Sequence, residues 1–178
     1  MFASGETAIP TVRLGDLIKV RSGDALVIKD HDPDGKFPVY GGNGINGYHS
    51  KYLVGENTIV LGRVGVYCGA VHVTRSPAWV TDNAVIVEVR NENLITEYLA
   101  AALTFADLNQ YAGRSAQPLI SGSRIYPVNI PLPPIALQKQ FGERVSEIDK
   151  ISELQHAHLA KLDAIFSSLQ LGAFQGEF

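Results

Sequence analysis

The sequence predicts an α+β protein in which a β-rich domain over residues 1–134 is followed by a long C-terminal coiled-coil helix over residues 135–178. Three observations carry this expectation. The first part consists of short runs of β-branched and alternating apolar residues punctuated by glycine. The proline-rich stretch IPLPP at residues 130–134 closes it. From about residue 137 to residue 171 no proline interrupts the chain, and Phe141, Val145, Ile148, Ser152, Gln155, Leu159, Leu162, Phe166 and Leu169 recur at alternating spacings of four and three. That alternation is the signature of a coiled-coil seam. At ~1.5 Å per residue such a helix extends ~50 Å, further than the preceding domain can cover, so part of its apolar stripe is expected to meet another chain.

The individual elements follow in order. A helical segment is expected at residues 14–20, stopping near Gly23, and a short strand at residues 37–40 that enters a glycine-rich flexible loop. Residues 58–64, 66–74 and 84–90 alternate or run apolar with β-branched side chains and predict three strands, the first two joined by a hairpin at Val64 and Gly65. Residues 94–110 carry an apolar stripe of Leu94, Tyr98, Leu99, Ala102 and Leu103, with Asn93 as N-cap and Gly113 as terminator. Residues 125–130 are interrupted by Pro127, which confines them to an edge strand or an extended linker.

Cysteine usage and the absence of targeting features narrow the class. Cys68 is the only cysteine, so no disulfide forms within the chain and no cysteine-based zinc ribbon can be built. It sits in an apolar run, where a small buried thiol is expected. The N-terminal MFASGETAIP lacks the basic and apolar parts of a signal peptide, and no apolar run is long enough to span a bilayer. A cytoplasmic protein is expected.

Three local patterns invite a catalytic reading and fail on context. Gly42, Gly44 and Gly47 spell GxGxxG, but YHSKYLVGENTIVL follows, with no helix to present its N-terminus to a pyrophosphate. Asp30, Asp32, Asp34 and Gly35 resemble the start of a calcium loop, yet its twelfth position, which should supply a bidentate carboxylate, is Gly41. LPPI at residues 132–135 has neither the amide or carboxylate before the prolines nor the aromatic after them that an adenine methyltransferase motif requires. His31, His49, His72, His156 and His158 are scattered, with no metal-binding His pair and no glycine-flanked serine. No catalytic and no metal-ligating residues are assigned.

Several stretches together resemble a known family. TVRLGDLIKVRSG, FPVYGGNGINGYHSKYL, TIVLGRVG, WVTDNAVI, SAQPLIS, IPLPPIALQKQ and SLQLGAFQGEF occur in the order in which the specificity (S) subunits of type I restriction-modification systems carry comparable stretches. They extend from about residue 11 to residue 176. The resemblance implies a target recognition domain followed by a conserved helical region. A family S subunit usually has two of each, so the chain is similar to a half-length form, which would have to pair its helix with a second copy to make a homodimer. The resemblance further implies double-stranded DNA as ligand, with a modification subunit that holds S-adenosylmethionine and a restriction subunit that uses ATP and magnesium as partners. None of these cofactors is expected on this chain, and no membrane. A two-component enzyme that cleaves both sides of its site is a nearby alternative. A stand-alone small-molecule enzyme with a coiled-coil tail is a distant one.

Charge qualifies the DNA expectation. The net charge is −3 and the pI about 5.9, the wrong sign for a domain that holds DNA mainly by neutralising phosphates. Its distribution is more favourable. Between residues 36 and 81, Lys36, Lys51, Arg63 and Arg75 face only Glu56, and between residues 108 and 140 Arg114, Arg124 and Lys139 face no acid. Two surfaces have the side chains to read base edges. The first comprises Tyr40, Asn43, Asn46, Tyr48, His49 and Lys51, whose amides can pair with adenine and whose aromatics can stack or touch thymine methyls. The second, GRSAQPLISGSR, comprises Arg114, Ser115, Gln117, Ser121, Ser123 and Arg124. There Arg114 suits guanine and Gln117 adenine.

Overall fold

The computed structural model describes residues 9–113 and 118–175, and the chain divides into two compact units that meet between Gln138 and Lys139. In order, the elements are β1 (Thr11–Arg13), α1 (Leu14–Leu17), β2 (Ile18–Ser22), β3 (Phe37–Gly41), β4 (Gly44–His49), β5 (Ile59–Gly62), β6 (Val71–Val73), β7 (Trp79–Val80), β8 (Ala84–Val89), α2 (Thr96–Phe105), α3 (Gly122–Ile125), β9 (Asn129–Pro131) and α4 (Ile135–Gln175).

The first unit is layered around an antiparallel sheet of order β2-β8-β5-β6. Its two central strands run apolar over residues 59–61 and 84–87, where both faces are covered. Ile59 and Leu61 of β5 and Val85 and Val87 of β8 point to one side, where they join Leu14, Leu17, Leu99, Leu103, Leu108 and Ile125 from the helical segments, with Ile18 of β2 and Ile120. Val60, Ala84 and Ile86 point to the other, where they meet Tyr40 and Val80 of a second sheet, order β4-β3-β7. The period-two alternation of a strand thus feeds two cores from one sheet. Each fully buried Leu, Ile or Val contributes roughly 1.5–3 kcal/mol of burial free energy. A third pairing, β1 against β9, ties the start of the domain to the residues just before α4.

Several elements depart from the expected ones. The segment at 14–20 forms one helical turn, after which residues 18–22 become β2, because they pair with β8 from Ile18↔Val89 to Ser22↔Val85. The glycine-rich residues 44–49 are the ordered strand β4, hydrogen-bonded to β3, and not a flexible loop. The β5–β6 connection is no tight hairpin at Val64 and Gly65. It passes through a 3-10 turn at Gly65–Tyr67, with Gly65 and Gly69 at φ of 74° and 89°. The helix expected over 94–110 is α2 and then a separate 3-10 turn, Leu108–Tyr111, because Asp107 takes a left-handed conformation (φ 43°). Asn93 does not cap it; Ile95 occupies the N-cap position. Residues 122–125 form α3, and the edge strand is confined to β9.

The second unit is helical. α4 continues through Gly142, which costs about 1 kcal/mol relative to alanine in a helix interior. Ile148, Leu159, Leu162, Phe166 and Leu169 are all exposed on it, and Ile151, Leu154 and Ile165, which the four-three pattern omits, are exposed as well. Among the described residues no helix is long and apolar enough to cross a membrane.

Candidate nucleic-acid interface

β3 and β4 form a hairpin whose turn is Gly42 and Asn43, followed by Gly44 at φ 88°, a conformation that disfavours side chains with a Cβ. A bulge accompanies it: Val39 pairs with Gly47 but Tyr40 with Ile45, so Asn46 is the extra residue. The hairpin tip lies against the ends of two neighbouring strands. The Asn83 carbonyl accepts the Arg63 N–H at 2.9 Å, and a Cβ on Gly42 would stand 3.3 Å from that same oxygen. Gly62 must lack a side chain, since a Cβ there would overlap the Tyr67 carbonyl and come within 2.7 Å of Gly42 O. The segment after residue 117 completes the edge. Gly65 N–H donates to Pro118 O at 3.1 Å, Ile120 N–H to Arg63 O at 2.9 Å, and Val64 bridges to Leu119.

Arg63 places a cation at this edge. Its Nη1 donates to Ser22 Oγ at 3.1 Å and to the Asp82 carbonyl at 3.3 Å, both neutral acceptors, so the positive charge is aimed without being cancelled by these contacts. Sequence reasoning missed Ser22, Asp82 and Asn83 as its supports. The adjacent Asp-Asn pair in WVTDNAVI, a common turn composition, was the available signal. Asn43 is exposed at the tip.

The remaining candidates are dispersed. Lys36 and Lys51 flank the open end of the hairpin, where Phe37 pairs with His49, ~14 Å along β3 from Gly41 at the turn at ~3.4 Å per residue. Tyr48 is 47% exposed near that end. Two candidates are less accessible than the others. Tyr40 is only 6% exposed and packs between the sheets with Val54, Val60 and Val80, which supports the hairpin. His49 packs edge-on against Trp79, ring centroids 5.1 Å apart, with Nδ1 buried and without a hydrogen-bond partner among the described residues. Asn46 is exposed in the bulge, Arg75 on the turn after β6. Ser121 and Ser123 hydroxyls lie 3.0 Å apart beside exposed Arg124, whose guanidinium borders Gly113. Arg114, Ser115 and Gln117 fall outside the described residues.

The decoy patterns have structural explanations. Gly44 of GxGxxG opens strand β4 where a dinucleotide site needs a helix. Within the acidic run the Asp34 N–H donates to Asp32 Oδ1 at 3.1 Å, an Asx turn. Cys68 is buried, its Sγ donating to Arg63 O at 3.2 Å; burial pushes the thiol pKa up, partly offset by a backbone hydrogen bond from Ile120. Burial also raises the Tyr98 hydroxyl, which donates to Pro131 O at 2.8 Å.

An α+β domain followed by a long helix is a fold that this chain shares with solved S subunits of restriction-modification systems. The chain is similar in fold to an S subunit from M. genitalium (TM-score 0.73, 17% identity, 84% of this chain and 41% of that one). It is likewise similar to the HsdS subunit from Thermoanaerobacter tengcongensis (TM-score 0.59, 16% identity, 83% and 39%). In sequence it is 28% identical over 143 residues to the EcoprrI type I restriction enzyme specificity subunit of Escherichia coli, covering 78% of this chain and 35% of that protein. The family model for the type I restriction modification DNA specificity domain matches residues 9–164, and the chain belongs to that family. It spans about a third of the length of the curated relative it matches.

Proposed function

We propose that this chain reads DNA sequence for a type I restriction-modification system, itself catalysing nothing. The observation that supports this best is the edge at the β3–β4 tip, where the Arg63 guanidinium is held by neutral oxygens of Ser22 and Asp82, the Arg63 backbone and Gly42 meet at the Asn83 carbonyl, and Asn43 is exposed, in a domain of the DNA specificity family. A guanidinium with free donors suits guanine or a phosphate, and an exposed amide suits adenine. Lys36, Lys51, Arg75, Ser121 and Arg124 are the further candidate contacts, with Arg114, Ser115 and Gln117 alongside them.

The same reading makes the chain a homodimer through α4, whose exposed apolar face gains from burial against a second copy. A modification subunit carrying S-adenosylmethionine and a restriction subunit using ATP and magnesium supply the chemistry. No cofactor binds here. With few unopposed cations the free chain releases few counterions and binds DNA weakly, gaining affinity and selectivity with the modification subunit. The test is adenine methylation of a plasmid library by the modification subunit with and without this chain. Methylation confined to one sequence and dependent on the chain is expected; methylation of that sequence without it would overturn the reading.

A further inference from the structure

We infer that His72 is a positioning residue that anchors the β3–β4 tip and thereby sets where Asn43 stands; the inference rests on the reading of that tip as a base-contacting edge. His72 lies on β6, the edge strand of the four-stranded sheet, and its half-buried ring reaches the hairpin of the other sheet. Nε2 is 3.4 Å from the Gly42 carbonyl, an acceptor, so the nitrogen carries the proton and donates. The ring also fills the space a side chain would need at Gly44, where a Cβ would lie 3.3 Å from Cε1. Its third contact is Tyr40, ring centroids 6.4 Å apart and tilted.

These contacts bracket Asn43. Gly42 is held through its carbonyl, Gly44 is covered by the ring, and Tyr40 fixes the strand that leads into the turn. The Gly42 carbonyl has little other freedom, because it also faces the bare Gly62. A two-residue turn constrained on both sides presents its exposed side chain in one orientation, and orientation is what separates reading a base from touching a phosphate. Without the anchor the tip can tilt away from Gly62 and the Asn83 carbonyl while the sheet beneath it stays folded.

The experiment compares His72→Phe, which keeps a ring but loses the donor, with His72→Gln, whose amide nitrogen can reach the same carbonyl. Binding to cognate and single-mismatch duplexes is measured in the complex with the modification subunit, and amide hydrogen exchange at Asn43 and Gly44 in the chain alone. In H72F the cognate-to-mismatch ratio is expected to fall about tenfold, the scale of one net hydrogen bond. Binding to unrelated DNA should hold, exchange at the tip should quicken, and H72Q should restore both. Equal behaviour of the two variants, or unchanged exchange in H72F, overturns the inference. A wild-type complex with no sequence preference would instead sink the DNA-reading proposal, while the exchange comparison would still decide whether His72 anchors the tip.

Discussion

The side-chain oxygen of Gln138 accepts the backbone N–H of Ile95 at 3.0 Å, so a residue at the start of α4 satisfies the amide at the N-cap of α2. Gln138 is 0% exposed, and its Nε2 donates to Asn93 O and Pro133 O, each at 2.9 Å. A buried amide is tolerable only when its groups are paired, and here both ends are. Gln138→Leu keeps the volume and strands one N–H and two carbonyls. It is expected to lower stability by about 1–3 kcal/mol, read as a shift of the urea midpoint at constant slope. A midpoint within error of wild type would show that water replaces the lost partners.

Gln138 also marks where legibility in the sequence ends. The four-three spacing from Phe141 onward announces α4 because helical periodicity is local. The strands at 58–64 and 84–90 are equally visible, since burial on both faces leaves continuous apolar runs. What escapes is set by distant partners. Residues 18–22 become β2 only because β8 lies beside them, and residues 44–49 become β4 although glycine disfavours strands. The candidate site divides the same way. Asn43 and Arg63 are legible as an exposed amide and an unopposed cation, but the meeting of Gly42 and the Arg63 backbone at the Asn83 carbonyl, the burial of Tyr40 and the packing of His49 on Trp79 depend on sheet packing that no local window contains.

Arg63 is preorganised, so little side-chain entropy remains to be lost on binding. Arg63→Ala is expected to weaken binding of the cognate duplex by about 1–3 kcal/mol if the guanidinium meets a guanine, with discrimination lost at one base pair. If it meets a phosphate, all duplexes weaken alike and the salt dependence becomes shallower by about one ion. Unchanged binding in fluorescence anisotropy would remove Arg63 from the interface. Ser22→Ala tests the preorganisation itself, with a smaller loss in the same direction.

The Cys68 thiol gives a pH dependence with a defined sign. Its pKa in the fold lies above the ordinary 9.0 because burial penalises the thiolate. Below pH 9 both folded and unfolded thiols are neutral, and stability from this group is intact. As pH rises past 9 the unfolded thiol ionises first, so stability falls until the folded pKa is passed. Urea midpoints from pH 8 to 10 should therefore drop less in Cys68→Ala than in wild type. Native protein at pH 8 should react with iodoacetamide far more slowly than in urea. Rapid native alkylation would contradict the burial.

The exposed face of α4 carries the last prediction. Seven apolar seam positions from Phe141 to Leu169, broadened by Ile151, Leu154 and Ile165, leave apolar area that a second copy can cover, with the polar seam positions Ser152 and Gln155 near the middle to fix register. Leu159→Asp with Leu162→Asp should give monomers in light scattering where wild type gives dimers. Wild-type monomers at micromolar concentration would refute the pairing. A two-fold dimer presents the same recognition domain twice, so its target should be an interrupted palindrome, with half-sites about one helical turn, ~34 Å, apart. With α4 as the spacer, removing seven residues shortens it by ~10 Å. Methylome sequencing should then report an altered gap between unchanged half-sites. Two unrelated half-sites in the wild-type methylome would mean that the helix pairs with a different chain of the same family.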